Sequence, residues 1–484
     1  MKKQFFNFRN LVRLFSLSLI LTSQTCALAA GSFPYQNKEV EKLAGDKYTP
    51  AKLKTLRTLL DKKGTFYLRR YSSGGHSAVT ISDNASLESS ISGLLIMHWD
   101  RDNIMQALAE RASGDEKWKE GLAASLNHHL RYRQKLVHAD PNKRPHIRYN
   151  AVSLDELTEP WGHAQNDALS FLEFLLFHDL NQNHSTLNQT TRPLEIKAAV
   201  LDINARLTYA VLLPHYFEKI KVWQDIDLGA WEDKRAVHSS SIACALGGLR
   251  EQYEYVTRHG AIKHKVDGRE YVVDEKMLRE LIGKCKKAAL AILPNEYVTA
   301  DDADTRSDTS KVRAVDAAII NALYLGAISG RPLFDDKLTV SLIENVENKL
   351  MGPLGIARYP GDIWDGRQDR RDLDKGQEAQ WCHVSPMISY IYGEMYRRTG
   401  KAEYFQKEVE HFNRGLAHIN GNFKIPEAYI VDPVYKNNGR YKWIADANEP
   451  LAWAQSVTLL SFIGMEESLK FQSKEVAQKG RREK

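Results

Sequence analysis

The strongest constraint on this chain is a succession of about twelve helical periodicities with no linker between them. Apolar residues recur at close to a 3.6 period through 232–258 (Val237, Ile242, Ala245, Leu246, Leu249, Tyr253, Val256), and the pattern stops before Gly260. Segment 274–293 repeats the pattern and is closed by Pro294, while Pro386 and Pro450 open segments 385–400 and 449–460. Stretches near 49–62, 101–113, 114–138, 164–181, 195–213, 312–327, 336–349 and 401–418 complete the set. Segment 164–181 is apolar on more than one face (Leu169, Phe171, Leu172, Phe174, Leu175), whereas 114–138 and 401–418 are amphipathic. Helices buried on all sides need others to cover them, so the pattern predicts two layers, an all-α toroid. Strand signals are few and short, as at Tyr271 to Val273.

No Gly/Ser-rich or Pro-rich stretch divides the chain, so one domain over 31–470 is expected, followed by a basic tail over 471–484. The first thirty residues read as an export signal. They have a positive start, an apolar stretch from Leu14 to Leu21, and small residues at Ala27 to Ala30 where cleavage is expected. Their four cations (Lys2, Lys3, Arg9, Arg13), with no acid among them, leave +2 of the formal +6 for the rest. That balance excludes a nucleic-acid footprint. The apolar run is too short to span a bilayer, so an exported protein with no membrane partner after cleavage is expected, secreted or periplasmic. Cys244, Cys285 and Cys382 then remain; three cysteines allow at most one disulfide, and buried free thiols are the expected state.

The loops between the helices are rich in Trp, acids and Arg, notably at 97–102, 148–167, 228–233, 358–365 and 424–453. Aromatics beside charged hydrogen-bonding groups suit a sugar, which offers an apolar ring face and a rim of hydroxyls.

Taken in order, these loops resemble the glucoamylases (glycoside hydrolase family 15) and the N-terminal domain of phosphorylase kinase regulatory subunits. The matches are His98-Trp99-Asp100-Arg101-Asp102; Arg148-Tyr149-Asn150 with Trp161-Gly162-His163-Ala164-Gln165-Asn166-Asp167; Gly229-Ala230-Trp231-Glu232; Ala357-Arg358-Tyr359-Pro360-Gly361-Asp362 with Trp381; and Ile425-Pro426-Glu427 with Leu451-Ala452-Trp453. The resemblance implies an (α/α)6 barrel that releases glucose from the non-reducing ends of α-glucans (starch, glycogen, maltodextrin) with inversion. Bacterial members of that family usually carry a β-sandwich before the barrel; the length left after the leader implies the compact type, without it and without a starch-binding domain.

Inverting hydrolysis needs an acid for the leaving oxygen and a carboxylate to activate water. The resemblance places Glu232 as acid and Glu427 as base; beside Glu232, Trp231 offers an apolar wall that raises a carboxyl pKa. Trp99, Arg101, Asp102, Trp231 and Arg358 are expected to bind sugar hydroxyls or faces, with Trp161, Trp381 and Trp453 as platforms. Gln165 and Asp167 are expected to orient Trp161 or to bind a second sugar. Asp233 departs from fungal members, which often have Glu there. His163, His383 and the pair His128-His129 fit no zinc spacing, and the acidic run Asp301-Asp302-Ala303-Asp304 lacks an EF-hand pattern, so no metal or cofactor is expected. A monomer acting on an α-glucan is the leading expectation. The alternatives are an α-glucosidase of the same fold with another linkage preference, such as a trehalase or isomaltose type, and a non-catalytic glycan-binding module.

Overall fold

The computed structural model describes residues 34–79, 96–187, 202–298, 312–364, 376–432 and 442–482. The export signal, the acidic run at 301–304 and the first part of segment 195–213 lie outside the described residues. The long helices are α1 (Pro50–Lys62), α2 (Asp100–Ala112), α3 (Trp118–Arg131), α4 (Asn166–Gln182), α5 (Ile203–Ile220), α6 (Ser239–His259), α7 (Glu275–Ile292), α8 (Ile319–Ile328), α9 (Asp336–Leu350), α10 (Val384–Thr399), α11 (Ala402–Ala417) and α12 (Ala452–Arg482).

The even-numbered helices form a closed inner ring, each packing on the next and α12 returning onto α2. Each inner helix carries one odd-numbered helix outside it: α3 on α2, α5 on α4, α7 on α6, α9 on α8, α11 on α10 and α1 on α12. This is the (α/α)6 barrel. Sequence decides which helix goes inside. α4 buries nearly every residue, polar ones included, whereas α7 buries only Leu278, Leu281, Cys285 and Ala289 along one stripe. Inner helices approach closely where glycine permits: a Cβ on Gly248 of α6 would stand 2.9 Å from the Ser170 carbonyl of α4. Outer helices are started by capping side chains, Thr49 for α1, Asp274 for α7 and Asp335 for α9, each accepting a backbone N–H three residues on.

Three segments depart from the sequence expectation. Segment 232–258 becomes helical only at Ser239, because Asp227 and Ala236 exchange backbone hydrogen bonds at 3.0 Å and close a loop that holds 229–235 out of the helix. Segment 114–138 breaks into α3 and a short helix, Gln134–His138. The basic end is not a frayed tail but the last turns of α12, which runs through Arg482 on Glu, Lys, Gln and Ala, all good helix formers. Cys244, Cys285 and Cys382 are all free and buried. Among the described residues no helix is long and apolar enough to cross a membrane.

Short strands decorate the barrel. β1 (Met97–Trp99) pairs with β2 (Arg148–Asn150), placing Trp99 opposite Arg148. β3 (Ile262–Val266) and β4 (Arg269–Val273) form a hairpin whose two turn residues, Asp267 and Gly268, both have positive φ, as a tight two-residue loop demands. β5 (Gln380–Trp381), β6 (Ala428–Val431) and β7 (Trp443–Ala445) make a small antiparallel sheet in that order.

Between α4 and α6 lies a cost built into the core. Glu173 is buried with neither carboxyl oxygen hydrogen-bonded, and burial pushes its pKa well above the carboxylate range. The folded state therefore holds a proton that the unfolded chain releases above about pH 4.3, so stability falls as pH rises from there towards the folded-state pKa. Glu173→Gln should remove that component: its advantage over wild type in chemical unfolding should be near zero at pH 4 and grow by up to about 1.4 kcal/mol per pH unit above it. A pH-independent difference would show that Glu173 is not held neutral.

Candidate active site

Trp99 ends β1 and Asp100 begins α2, so Arg101 and Asp102 occupy the first turn of an inner helix. The Arg101 guanidinium donates from Nε to Asp167 Oδ2 at 2.8 Å and from Nη2 to Gln165 Oε1 at 2.9 Å. Asp167 lies in the first turn of α4 and Gln165 at its cap, so these bonds tie the starts of two neighbouring inner helices together. Gln165 also donates to the Gly162 carbonyl at 2.6 Å, fixing the turn that carries Trp161. Gln165 and Asp167 are thus engaged with Arg101. Behind this clamp, Asp100 accepts from Tyr149 Oη and bonds His129 Nε2, both at 2.8 Å. His128 stacks on Tyr149 at 3.6 Å, so the His128-His129 pair packs into a buried polar network.

Glu232 sits on the loop before α6. Gly229 and Glu232 both have left-handed backbone, φ 61° and 60°, and a Cβ at Gly229 would meet the His238 ring at 3.0 Å. A glutamate in this region is strained, a feature that gathers at functional sites. The neighbouring Trp231 is fixed through its indole N–H to Asp316 Oδ1 at 2.6 Å; Arg313 bonds the other oxygen of Asp316 at 2.8 Å and reaches Asp233 Oδ2 at 3.4 Å. Asp233 thereby belongs to the support of the tryptophan: burial opposes its charge, but Arg313 and Arg358 hold its pKa below the usual range. Burial raises the pKa of Glu232, against opposing pulls from Arg101, Gln165 and Arg148.

Glu427 immediately precedes β6. Its amide donates to the Asn448 carbonyl at 3.1 Å, and Asn448 Nδ2 donates to Glu427 Oε2 at 2.6 Å. Burial pushes its pKa up to about 7, lowered in part by Asn448 and Arg358 and raised further by Glu232. Asp102 is pushed to about 7 by burial, with Arg101 opposing and Glu427 and Glu232 adding. The three carboxyls therefore sense one another, and the fold has gathered residues 102, 232 and 427 into one site. Arg358, held through Nε and Nη2 by Asp362 at 2.7 and 2.6 Å, stands 5.0 Å from the Trp381 ring.

The tryptophans divide in two. Trp161 is 42% exposed, lies edge-on to Trp99 and carries Arg148 over its ring at 4.0 Å. Trp231, Trp381 and Trp453 are buried: Trp231 meets Trp381 at 5.5 Å, Trp381 meets Trp364 at 4.7 Å, and His383 stacks on Trp453 at 4.3 Å. Trp161 is an open platform and the others form an aromatic wall. His163, for its part, stacks on His146 at 3.6 Å. Among the described residues no group of three or more His, Cys, Asp or Glu side chains is arranged to hold a metal. The structure adds Arg313, Asp316, Asp362, Trp364, His383 and Asn448 to the residues expected from sequence. Arg148 and Asp362 stood in recognised motifs without a role assigned to them; Arg313, Asp316, Trp364 and Asn448 carry no local sequence signal, because the contacts that matter cross between loops.

Neither a protein-family profile nor a curated protein sequence matches the chain. Its fold does match solved structures. A wild-type glycosidase superposes with a TM-score of 0.58 at 13% identity, covering 88% of this chain and all of the other. A glucoamylase from Saccharomycopsis fibuligera gives 0.55 at 13%, covering 88% and 97%. A bacterial glucoamylase complexed with acarbose gives 0.51 at 14%, covering 82% of this chain and 53% of that one. The fold is that of glucoamylases and related glycosidases.

Arg101 and Asp102 should separate in their effect on folding. Arg101→Ala leaves Asp167 buried without its cation and should cost about 3–5 kcal/mol of stability, read as a lowered unfolding midpoint. The Asp102 carboxyl is bonded only by its own backbone amide and is raised in pKa by burial, so Asp102→Asn, which removes the buried charge, should hold the midpoint or raise it. Equal losses would show that both residues serve folding alike.

Proposed function

We propose that this chain is an inverting exo-glycosidase that releases glucose from the non-reducing ends of α-glucans such as maltodextrin, starch or glycogen. The observation that carries the reading is the pair Glu232 and Glu427: each is part-buried and raised in pKa by desolvation, and the charge of Glu232 pushes Glu427 further up. In the proposed reaction Glu232 gives its proton to the glycosidic oxygen as the C–O bond breaks. Glu427 takes a proton from the water that attacks the anomeric carbon from the other side. Burial raises the pKa of Glu232, which favours the protonated form that a proton donor needs. The Nη1 groups of Arg101 and Arg358, free of hydrogen bonds to described residues, together with Asp102, would meet the sugar hydroxyls. Trp161 would receive the apolar face of a further sugar. The structural likeness to a glucoamylase that binds acarbose, and to a glycosidase variant solved with glucose at 13% identity, supports a sugar ligand of this class. We further propose that residues 1–30 direct export and that the enzyme acts as a monomer outside the cytoplasm.

Glucose should appear from maltotriose with maltose as co-product. Turnover confined to trehalose or isomaltose would move the assignment to another linkage, and glycan binding without turnover would make the chain a binding module. Asp102→Asn should lose roughly 10- to 100-fold in kcat/KM, since hydrogen bonds to charged groups contribute about 1.5–3 kcal/mol each.

The two carboxyls should also differ from each other. Glu232→Gln and Glu427→Gln should each lose on the order of 10²–10⁴-fold on maltose, with non-additive losses in the double variant. Fluoride leaves without strong protonation, so Glu232→Gln should recover on α-glucosyl fluoride and Glu427→Gln should not. Near-normal maltose turnover by either variant would remove that residue from its role.

A further inference from the structure

A further carboxyl adjoins Glu427 and has no part in the mechanism above. Asp446 follows β7, and its amide donates to the Ala428 carbonyl at 3.0 Å, one residue beyond Glu427 on the neighbouring strand. Two residues later Asn448 both accepts from the Glu427 amide and donates to the Glu427 side chain. The turn after β7 thus places an acid and an amide against the same glutamate. Asn448 makes its bond; Asp446 is 3% exposed and neither of its oxygens has a hydrogen-bond partner. The groups acting on Asp446 are two more acids, Glu427 and Glu449, with the Ala428 and Asn448 amides opposing them only in part. Cys382, just after β5, and Tyr429 of β6 lie near it, and neither is a cation. Lys442 is paired with Asp432, and Lys424 acts on Glu449.

A buried carboxylate with no cation and only two backbone amides acting on it is costly, and two neighbouring carboxyls cannot both ionise freely. We propose, resting on the assignment of Glu427 as base, that Asp446 is a positioning residue: the Glu427–Asp446 pair carries one proton, held on Asp446, so that Glu427 alone is charged when it receives the proton of the attacking water. Asp446 touches no reacting atom. Its neutrality is what lets a base stay ionised in a buried site that already holds Asp102 and Glu232. The direction of the shifts agrees with this order: burial, then the charge of Glu427, pushes Asp446 to about 8, above the value of about 7 for Glu427.

Infrared difference spectroscopy on the whole protein tests the arrangement without requiring turnover. The wild-type-minus-Asp446→Asn spectrum should show a protonated-carboxyl band at pH 7.5 that disappears on the alkaline side. The same difference taken in the Glu427→Gln background should show the band titrating at lower pH by a unit or more, since the neighbouring charge is gone. Asp446→Ser, also neutral and smaller, serves if the asparagine variant does not fold. Absence of the band, or a titration indifferent to Glu427→Gln, would overturn the proposal. Failure of the glycosidase reading appears separately, as wild-type protein that turns over no α-linked sugar. If the band and its shift persist in such a protein, the shared proton stands and only its catalytic purpose falls.

Discussion

The clamp of Arg101 on Asp167 and Gln165 is the interaction on which the mouth of this barrel depends. A ring of six inner helices is buried on all sides, so a charge inside it needs a partner, and the helix starts with loops folded over them supply partners at the mouth. At α2 and α4 the sequence places an arginine and an aspartate in the first turns, where the two helices meet. Their ion pair is buried, so its main contribution is to geometry more than to net stability. It fixes how α2 and α4 start relative to one another, and with them the Trp161 turn and the position of Asp102. The same guanidinium stands 5.6 Å from the Trp453 ring at the start of α12, so the clamp also reaches the element that closes the ring.

Around that clamp the site is a problem in electrostatics. Asp102 and Asp446 are buried and Glu232 and Glu427 part-buried, and each is raised in pKa by desolvation. Arg358 is half-neutralised by its own aspartate, Asp362, and Arg101 by Asp167. The surplus is therefore acidic, and protons make up the difference. A site so arranged has carboxyls that hold protons near neutral pH beside carboxyls that release them, which is what paired acid and base work requires. The aromatic wall of Trp231, Trp364, Trp381 and Trp453 supplies the low-dielectric surroundings that make these shifts possible.

Much of this was legible in the sequence, for physical reasons. Helical periodicity marked all twelve barrel helices, because burial of one stripe or of every face leaves its period in the chain. Glu232 and Glu427 were legible only through the order of short loop motifs, since a Trp-Glu or Pro-Glu pair alone is as well explained by a helix start. Where sequence reasoning slipped, a tertiary contact had overridden local preference. The Asp227–Ala236 bridge held 229–235 out of α6, and the helix-forming end of the chain extended α12. The β3–β4 hairpin does carry a local signal, the Asp267-Gly268 pair, which suits a two-residue turn with positive φ at both positions. Asp316, Arg313 and Asp446 had no such signal. Each matters through a partner far away in sequence, so no local pattern announces it.

The central claim is that two separated carboxyls act on a water and a leaving oxygen in a single displacement. The stereochemistry of the first product reads this most directly. Proton NMR of freshly formed glucose during maltotriose hydrolysis should show the β-anomer ahead of mutarotation, as inversion at an α-linked sugar demands. Appearance of the α-anomer first would mean a covalent glycosyl-enzyme intermediate, and would contradict the assignment of Glu427 as a base acting on water.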